Sequence, residues 1–319
     1  MVNVVTITAG GALGVCVGGV LLRRWLKGGR CYSEAQMDGK TVIITGCNTG
    51  IGKETAKDLA KRGARVIMAC RNVEKAREAL LDVIKESGSS NMVVKKLDLA
   101  SMKSIREFVE ELKKEEKSLD VLVNNAGVMM CPRWETEDGF EMQFGTNHLG
   151  HFLLTLLLLD LIKASAPGRI VNVSSLAHQF GKMNFDDIMS TKNYDYIKAY
   201  SQSKLANVLF TRELAKRLNG TGVTSYAVHP GGVATDLQRH QDSYNPFVKF
   251  GVSSLRPFLK TAEEGAQTNI HCCVDEKAGQ ESGLYYSDCA VKQAAKQGRD
   301  DEAARKLWDL SLKLVGLEE

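Results

Sequence analysis

The chain has 319 residues and a formal net charge of +4, with its 25% of charged residues scattered along the length. That length can bury a full core, and open α/β folds reach it as one domain. No basic stripe able to track a phosphate backbone is present, which argues against a nucleic-acid partner. The eight cysteines form no Cys-x-x-Cys pair. Cys47, Cys70, Cys272 and Cys273 lie in apolar stretches and read as reduced, buried thiols of a cytosol-facing body. His148 and His151 stand three apart without an acidic or Cys partner nearby, so no metal is expected.

Val2 to Leu22 carries no charge and is long enough to span a bilayer. Gly10, Gly14 and Gly18 recur at every fourth position, and Arg23, Arg24, Lys27 and Arg30 follow at once. A cleaved signal peptide fits less well, because the basic residues follow the apolar run rather than precede it. Peripheral attachment remains the alternative. The expected organisation is a membrane anchor over residues 1–22, a basic linker over 23–37 and a single domain over 38–319. Positive residues after the span place that side in the cytosol.

Lys40 to Thr45 is a short β-branched run of the buried parallel-strand type. It enters Gly46-Cys47-Asn48-Thr49-Gly50-Ile51-Gly52 and then a helical pattern through Leu59. Strand, glycine turn and helix N-terminus together form a cradle for a pyrophosphate. The second strand, Arg65 to Cys70, ends at Arg71 rather than at an acid. An acid there would hold the ribose 2′-hydroxyl of NAD; an Arg suits the 2′-phosphate of NADP(H). A helix over Val73 to Ser87 precedes a strand from Met92 to Leu97, which ends at Asp98-Leu99. Ser101 is placed to cap a helix over Ile105 to Glu116. Asp120 to Val123 is the fourth strand and delivers Asn124-Asn125-Ala126-Gly127, where small residues admit a ligand and Asn125 can fix a neighbouring loop.

Asn147 to Ile162 is strongly apolar but short for a membrane span, and reads as a central buried helix. The fifth strand, Arg169 to Val173, ends at Ser174-Ser175. Tyr200 and Lys204 then share one helix face four residues apart. An ammonium there favours the phenolate and moves the Tyr toward use as a general acid or base. Val223 to Val228 is the sixth strand, leading to His229-Pro230-Gly231-Gly232, and a seventh is expected near Gly283 to Tyr286. Alternating strands and helices imply a doubly wound, Rossmann-type parallel sheet of about seven strands with helices on both faces. Ligands in such sheets sit at the carboxyl ends of the strands.

These motifs, in this order, resemble the short-chain dehydrogenase/reductase family over about residues 38 to 290. The resemblance rests on Thr45-Gly46-x-x-x-Gly50-Ile51-Gly52, Asn124 to Gly127, Asn147, Ser175, Tyr200-x-x-x-Lys204 and Pro230-Gly231. It implies that Tyr200 is the proton donor or acceptor, and that Lys204 lowers its pKa and holds the nicotinamide ribose. It further implies that Ser175 polarises the substrate oxygen and Asn147 supports a water relay. Cofactor contacts are implied for Gly46, Asn48, Thr49, Gly50, Ile51, Gly52, Arg71, Asp98, Leu99, Asn125, Ala126, Gly127, Pro230, Gly231 and Thr235. The N-terminal span, Ala69-Cys70-Arg71, Asn147 to Phe152 and Ser203 to Asn207 look like the membrane-anchored, NADP-dependent retinol dehydrogenase branch. That branch implies retinol/retinal interconversion, mainly retinal reduction with NADPH, at the endoplasmic reticulum membrane with the catalytic body in the cytosol. A homodimer is compatible with it. The alternatives are a reductase of other lipid aldehydes or steroids, and a non-catalytic NADP-sensing interaction protein. Tyr244 to Lys260 is apolar and is expected either to cover a hydrophobic substrate or to be an ordinary packing helix.

Overall fold

The computed structural model describes residues 27–233 and 259–318. The expected anchor at 1–22, Thr235 and most of the Tyr244 to Lys260 stretch lie outside the described residues.

The chain alternates β1 (Thr41–Thr45), α1 (Gly50–Lys61), β2 (Arg65–Cys70), α2 (Val73–Ser87), β3 (Met92–Lys96), α3 (Met102–Glu115) and β4 (Val121–Asn124). A helix here named α4 covers Met142–Ala164. It is followed by β5 (Gly168–Val173), α5 (Tyr196–Arg217), β6 (Val223–His229), α6 (Ala262–Val274), β7 (Leu284–Ser287), β8 (Ala290–Lys292) and α7 (Asp301–Leu314). The sheet runs β3-β2-β1-β4-β5-β6-β7-β8. All neighbouring pairs are parallel except β7–β8. The eighth strand is an addition to the expected seven: a short edge hairpin whose three residues are all exposed.

The strand period of two sorts side chains into two cores. Ile43, Ile67, Leu122 and Ile170 point to one layer and pack with α3, α4, α5 and α7. Val42, Ile44, Met68 and Val123 point to the other and pack with α1, α2 and α6. Among the described residues, α4 is the one helix long and apolar enough to cross a membrane, yet 72% of its apolar window is buried inside the fold. Phe152, Leu153, Leu154 and Leu158 are fully buried there, and each such side chain contributes about 1.5–3 kcal/mol. Trp308 of α7 meets Phe152 edge-on at 5.1 Å, which closes this layer from outside.

The strand order reverses between β1 and β4. At that switch point the carboxyl ends open a crevice, and Gly46 leaves one strand and Asn125 the other.

Candidate active site

The glycine turn is held by the strand beside it. Thr45 Oγ1 accepts hydrogen bonds from the backbone N–H groups of Asn125 (3.0 Å) and Ala126 (2.9 Å). Asn125 Nδ2 donates back to the carbonyls of Thr45 (2.9 Å) and Gly46 (3.2 Å). Gly46 has φ +65°, and a Cβ on it would stand 2.8 Å from that of Ala126; only glycine suits both its conformation and its space. Gly50, Ile51 and Gly52 open α1 directly after the extended Thr49, so the helix dipole points into the crevice. Cys47 Sγ, in the turn beside Asn48, lies 3.9 Å from Cys70 Sγ at the end of β2. Arg71 is thereby set next to the turn. It is exposed, and Asn72 after it caps α2 by accepting from Lys75 N–H at 2.9 Å. Asp98 Oδ1 accepts from Ala100 N–H at 3.0 Å, and the buried Leu99 packs its carbonyl against Gly150 of α4.

Tyr200 and Lys204 lie one turn apart on α5 and are 5% and 3% exposed. Lys204 Nζ is 5.7 Å from the centre of the Tyr200 ring. Nζ donates to the Val173 carbonyl at 3.1 Å, an oxygen that also accepts from Asn207 Nδ2 at 3.1 Å. Burial lowers the Lys204 pKa from the usual lysine range to about 8. Asp195 caps the helix start, accepting from Ile197 (2.9 Å) and Lys198 (3.0 Å) N–H groups. This fixes the turn that presents Tyr200.

The two serines after β5 are told apart by their partners. Ser174 is buried and donates its hydroxyl to the Lys204 carbonyl at 2.7 Å. Ser175 is half-buried and caps the short turn Leu176–Phe180 by accepting from Ala177 N–H at 3.2 Å. That turn runs against α5, because a Cβ on Gly181 would meet the Ser201 carbonyl at 2.5 Å. Ser175 therefore enters the site beside the first turns of α5.

Asn147 sits in a π-helical turn of α4, Gly145–Leu149, whose i→i+5 bond runs from Gly150 N–H to the Gly145 carbonyl. Such turns recur at functional sites. Its amide donates to the Val128 carbonyl (2.9 Å) and Ser203 Oγ (3.0 Å) and accepts from Val128 N–H (2.8 Å). It thus joins the segment after β4 to α5. Gly127 is the gap between them: a Cβ there would be 3.0 Å from Asn147 Oδ1 and 3.7 Å from Lys204 Nζ.

One member of this network was missed from sequence. His151 Nε2 lies 2.9 Å from Thr45 Oγ1, and its Nδ1 lies 3.1 Å from the Asn147 carbonyl. A carbonyl only accepts, so Nδ1 carries the proton and Thr45 donates to Nε2. Burial drops the His151 pKa to about 3, so the ring stays neutral. The spacing of four from Asn147 was a visible signal of a shared helix face. At the other side, Pro230 and Gly231 follow β6, and Gly231 has φ +95°.

A crossover crevice with a nucleotide-type turn on one wall and a buried Tyr–Lys pair on the other is the layout of a nicotinamide-dependent oxidoreductase. Comparison with known proteins takes this further. Residues 40–245 match the profile of the short chain dehydrogenase family, and the chain belongs to that family. It is 52% identical over 296 residues to retinol dehydrogenase 12 of Homo sapiens, covering 93% of this chain and 92% of that protein. It is 51% identical over 313 residues to human retinol dehydrogenase 13, covering 96% and 94%. Among solved structures, an uncharacterised protein from Mycobacterium paratuberculosis superposes with a TM-score of 0.74 at 34% identity, over 91% of this chain and 98% of that one. An NADP active-site complex of Pseudomonas aeruginosa RhlG aligns with a TM-score of 0.63 at 26% identity, over 78% and 94%. The protein is an NAD(P)-dependent oxidoreductase.

Proposed function

We propose that the protein interconverts retinol and retinal with NADP(H), chiefly reducing the aldehyde. The observation that supports the reading is the buried Tyr200–Lys204 pair, whose Lys204 Nζ would stand 3.7 Å from a Cβ on Gly127, in the segment that follows β4 beside the glycine turn. The likeness to retinol dehydrogenases supports the substrate.

The residues fit the cofactor. Gly46, Asn48, Thr49, Gly50, Ile51 and Gly52 would take its pyrophosphate at the start of α1, and exposed Arg71 its 2′-phosphate. Asp98, Leu99, Asn125, Ala126 and Gly127 would border its adenine and ribose. Pro230, Gly231 and Thr235 would border the nicotinamide. When bound, the nicotinamide supplies or accepts the hydride. Tyr200 gives its phenolic proton to the carbonyl oxygen as negative charge grows there, or takes it back in the reverse reaction. Ser175 donates a hydrogen bond to the same oxygen and orients it. Lys204 keeps positive charge beside the phenol, and Asn147 holds the wall next to it. Residues 1–22 would anchor the protein in the endoplasmic reticulum membrane, with residues 38–319 as the catalytic domain in the cytosol.

The test is turnover of all-trans-retinal by detergent-solubilised protein, first with NADPH and then with NADH. NADPH should be preferred, Arg71→Asp should move the preference toward NADH, and Tyr200→Phe should lose roughly 10²–10⁴ in kcat while still binding NADPH. Turnover unchanged in Tyr200→Phe would sink the assignment.

A further inference from the structure

A largely buried lysine paired with a hairpin aspartate marks a place outside the proton chemistry. Asp288 and Cys289, the turn between β7 and β8, both have φ +55°. A two-residue hairpin loop takes φ > 0 at both central positions, and this one projects the Asp288 carboxylate off the sheet edge. Asp288 Oδ1 accepts from Lys260 Nζ at 2.5 Å. A Cβ on Gly28 would collide with that carboxylate oxygen and with Nζ, and one on Gly29 with the Asp288 carbonyl. The arm that enters the domain at residue 27 therefore lies on the pair.

Lys260 is the buried partner, its side chain 7% exposed against 43% for Asp288. Its N–H donates to the Gly232 carbonyl at 2.8 Å, and it pairs in parallel with Val233. Its stem then crosses Gly231, where a Cβ would stand 2.7 Å from Cδ, 2.8 Å from Cε and 2.9 Å from Nζ. From the other side, His229 Nδ1 accepts from the N–H groups of Gly231 (3.4 Å) and Leu176 (3.2 Å), the residue after Ser175. Burial, then the Lys260 charge, lower His229 to about 4, so its ring is neutral and can accept. Burial pushes the Asp288 carboxyl up, but the hydrogen bond and charge of Lys260 outweigh it and hold it below its usual range. An ammonium this deep needs its carboxylate, since a buried charge left alone is costly.

We propose that Lys260, held by Asp288, is a positioning residue that sets the Pro230–Gly231 turn for the nicotinamide end of the cofactor and ties that turn to the N-terminal arm. This rests on the cofactor reading above.

The experiment uses the full chain in detergent and compares Lys260→Met, Lys260→Arg and Asp288→Asn with wild type. In Lys260→Met, kcat/KM for NADPH should fall roughly 10²-fold, the scale set by a small misplacement near the reacting atoms. Affinity for adenosine 2′,5′-bisphosphate, which carries the adenine half alone, should stay at the wild-type value. Lys260→Arg, keeping the charge, should recover most of the loss. If Lys260→Met does not fold, Asp288→Asn, at the more exposed partner, must show the same split between the two ligands. Equal losses for both ligands, or a lower melting temperature with unchanged kinetics, overturn the proposal. A wild-type protein that neither binds NADPH nor reduces retinal overturns the cofactor reading and this proposal with it.

Discussion

Tyr200 and Lys204 show how a weak pattern becomes specific through burial. Tyr-x-x-x-Lys arises often by chance on a helix surface, but both residues here are nearly inaccessible. Burial works against the very charge the pair needs: it brings Lys204 down to about 8. The sign follows directly. Below about pH 8 the amine is an ammonium that favours the phenolate; above it, in the cofactor-free protein, the charge is lost. The limb of kcat/KM for NADPH, which reports the free enzyme, should therefore bend downward above about pH 8. Lys204→Met should lack that bend along with most activity, and a wild-type profile flat to pH 10 would show that the ammonium is not required. Stability runs the other way. A lysine whose folded pKa lies below its unfolded value of about 10.4 makes the unfolded state bind more protons between the two. The unfolding free energy from this group is thus lowest below pH 8 and rises through that window. Ser174 and Ser175 make the same point about burial: the family resemblance selects Ser175, and in the structure the buried Ser174 donates its hydroxyl to the Lys204 carbonyl.

At the scale of elements, the crevice depends on β1 and α4 being joined through Thr45, His151 and the Asn147 carbonyl. Thr45→Val would orphan the Ala126 N–H and the Nε2 of His151, and leave the Asn125 N–H only the Val123 carbonyl at 3.0 Å. Each orphan costs about 1–3 kcal/mol. His151→Phe removes only the ring's bonds and should cost less. Chemical denaturation should rank the variants in that order, and the NADPH KM of Thr45→Val should rise as the glycine turn loosens. Equal stability of both variants would dismiss the link. The alternation of strands and helices was legible in the sequence, since β-branched runs and capping residues such as Ser101 are local signals; Ser101 accepts from Ser104 N–H as expected. The sequence places the start of α4 at Asn147, five residues after its true start at Met142, because the polar residues of the first turn hide the period and the π turn shifts it. β8 has no alternation to read, being three exposed residues on an edge. Lys260 and Asp288 are 28 residues apart in chain and meet only through a hairpin turn and a bridge, so no spacing could announce them. His151 stands four residues from Asn147 in the sequence, but its bond to Thr45 crosses 106 residues and leaves no local trace.

For the whole molecule, the question is how the catalytic body is joined to what precedes it. Of the basic linker expected over residues 23–37, the described part, 27–37, is bonded along the domain. Cys31 N–H donates to Gln267 Oε1 at 3.1 Å. The Arg62 guanidinium donates to the carbonyls of Ser33 (2.8 Å) and Ala35 (2.9 Å), and Met37 N–H donates to the Arg62 carbonyl at 2.7 Å. Met37 itself is 6% exposed. Arg30 pairs with Glu263 at 2.8 Å, but both are well exposed, and such a pair adds little. The stabilising part is therefore the backbone bonding and the Met37 contact rather than the charges. A chain beginning at Lys27 should keep the stability of the full protein and leave the membrane fraction. A chain beginning at Asp38 should lose membrane binding too, but unfold with about 3 kcal/mol less free energy, since several hydrogen bonds worth about 1 kcal/mol each go with the arm. Denaturant titration and flotation with lipid vesicles measure the two effects separately. Equal stability of the two chains would reduce the arm to a tether, and vesicle binding by the chain from Lys27 would assign attachment to the apolar stretch 244–260. If the arm does contribute, its Gly28–Gly29 contact on the Lys260–Asp288 pair makes removal of the arm tell on the nicotinamide side as well. The chain from Asp38 should then show the raised NADPH KM that the chain from Lys27 does not.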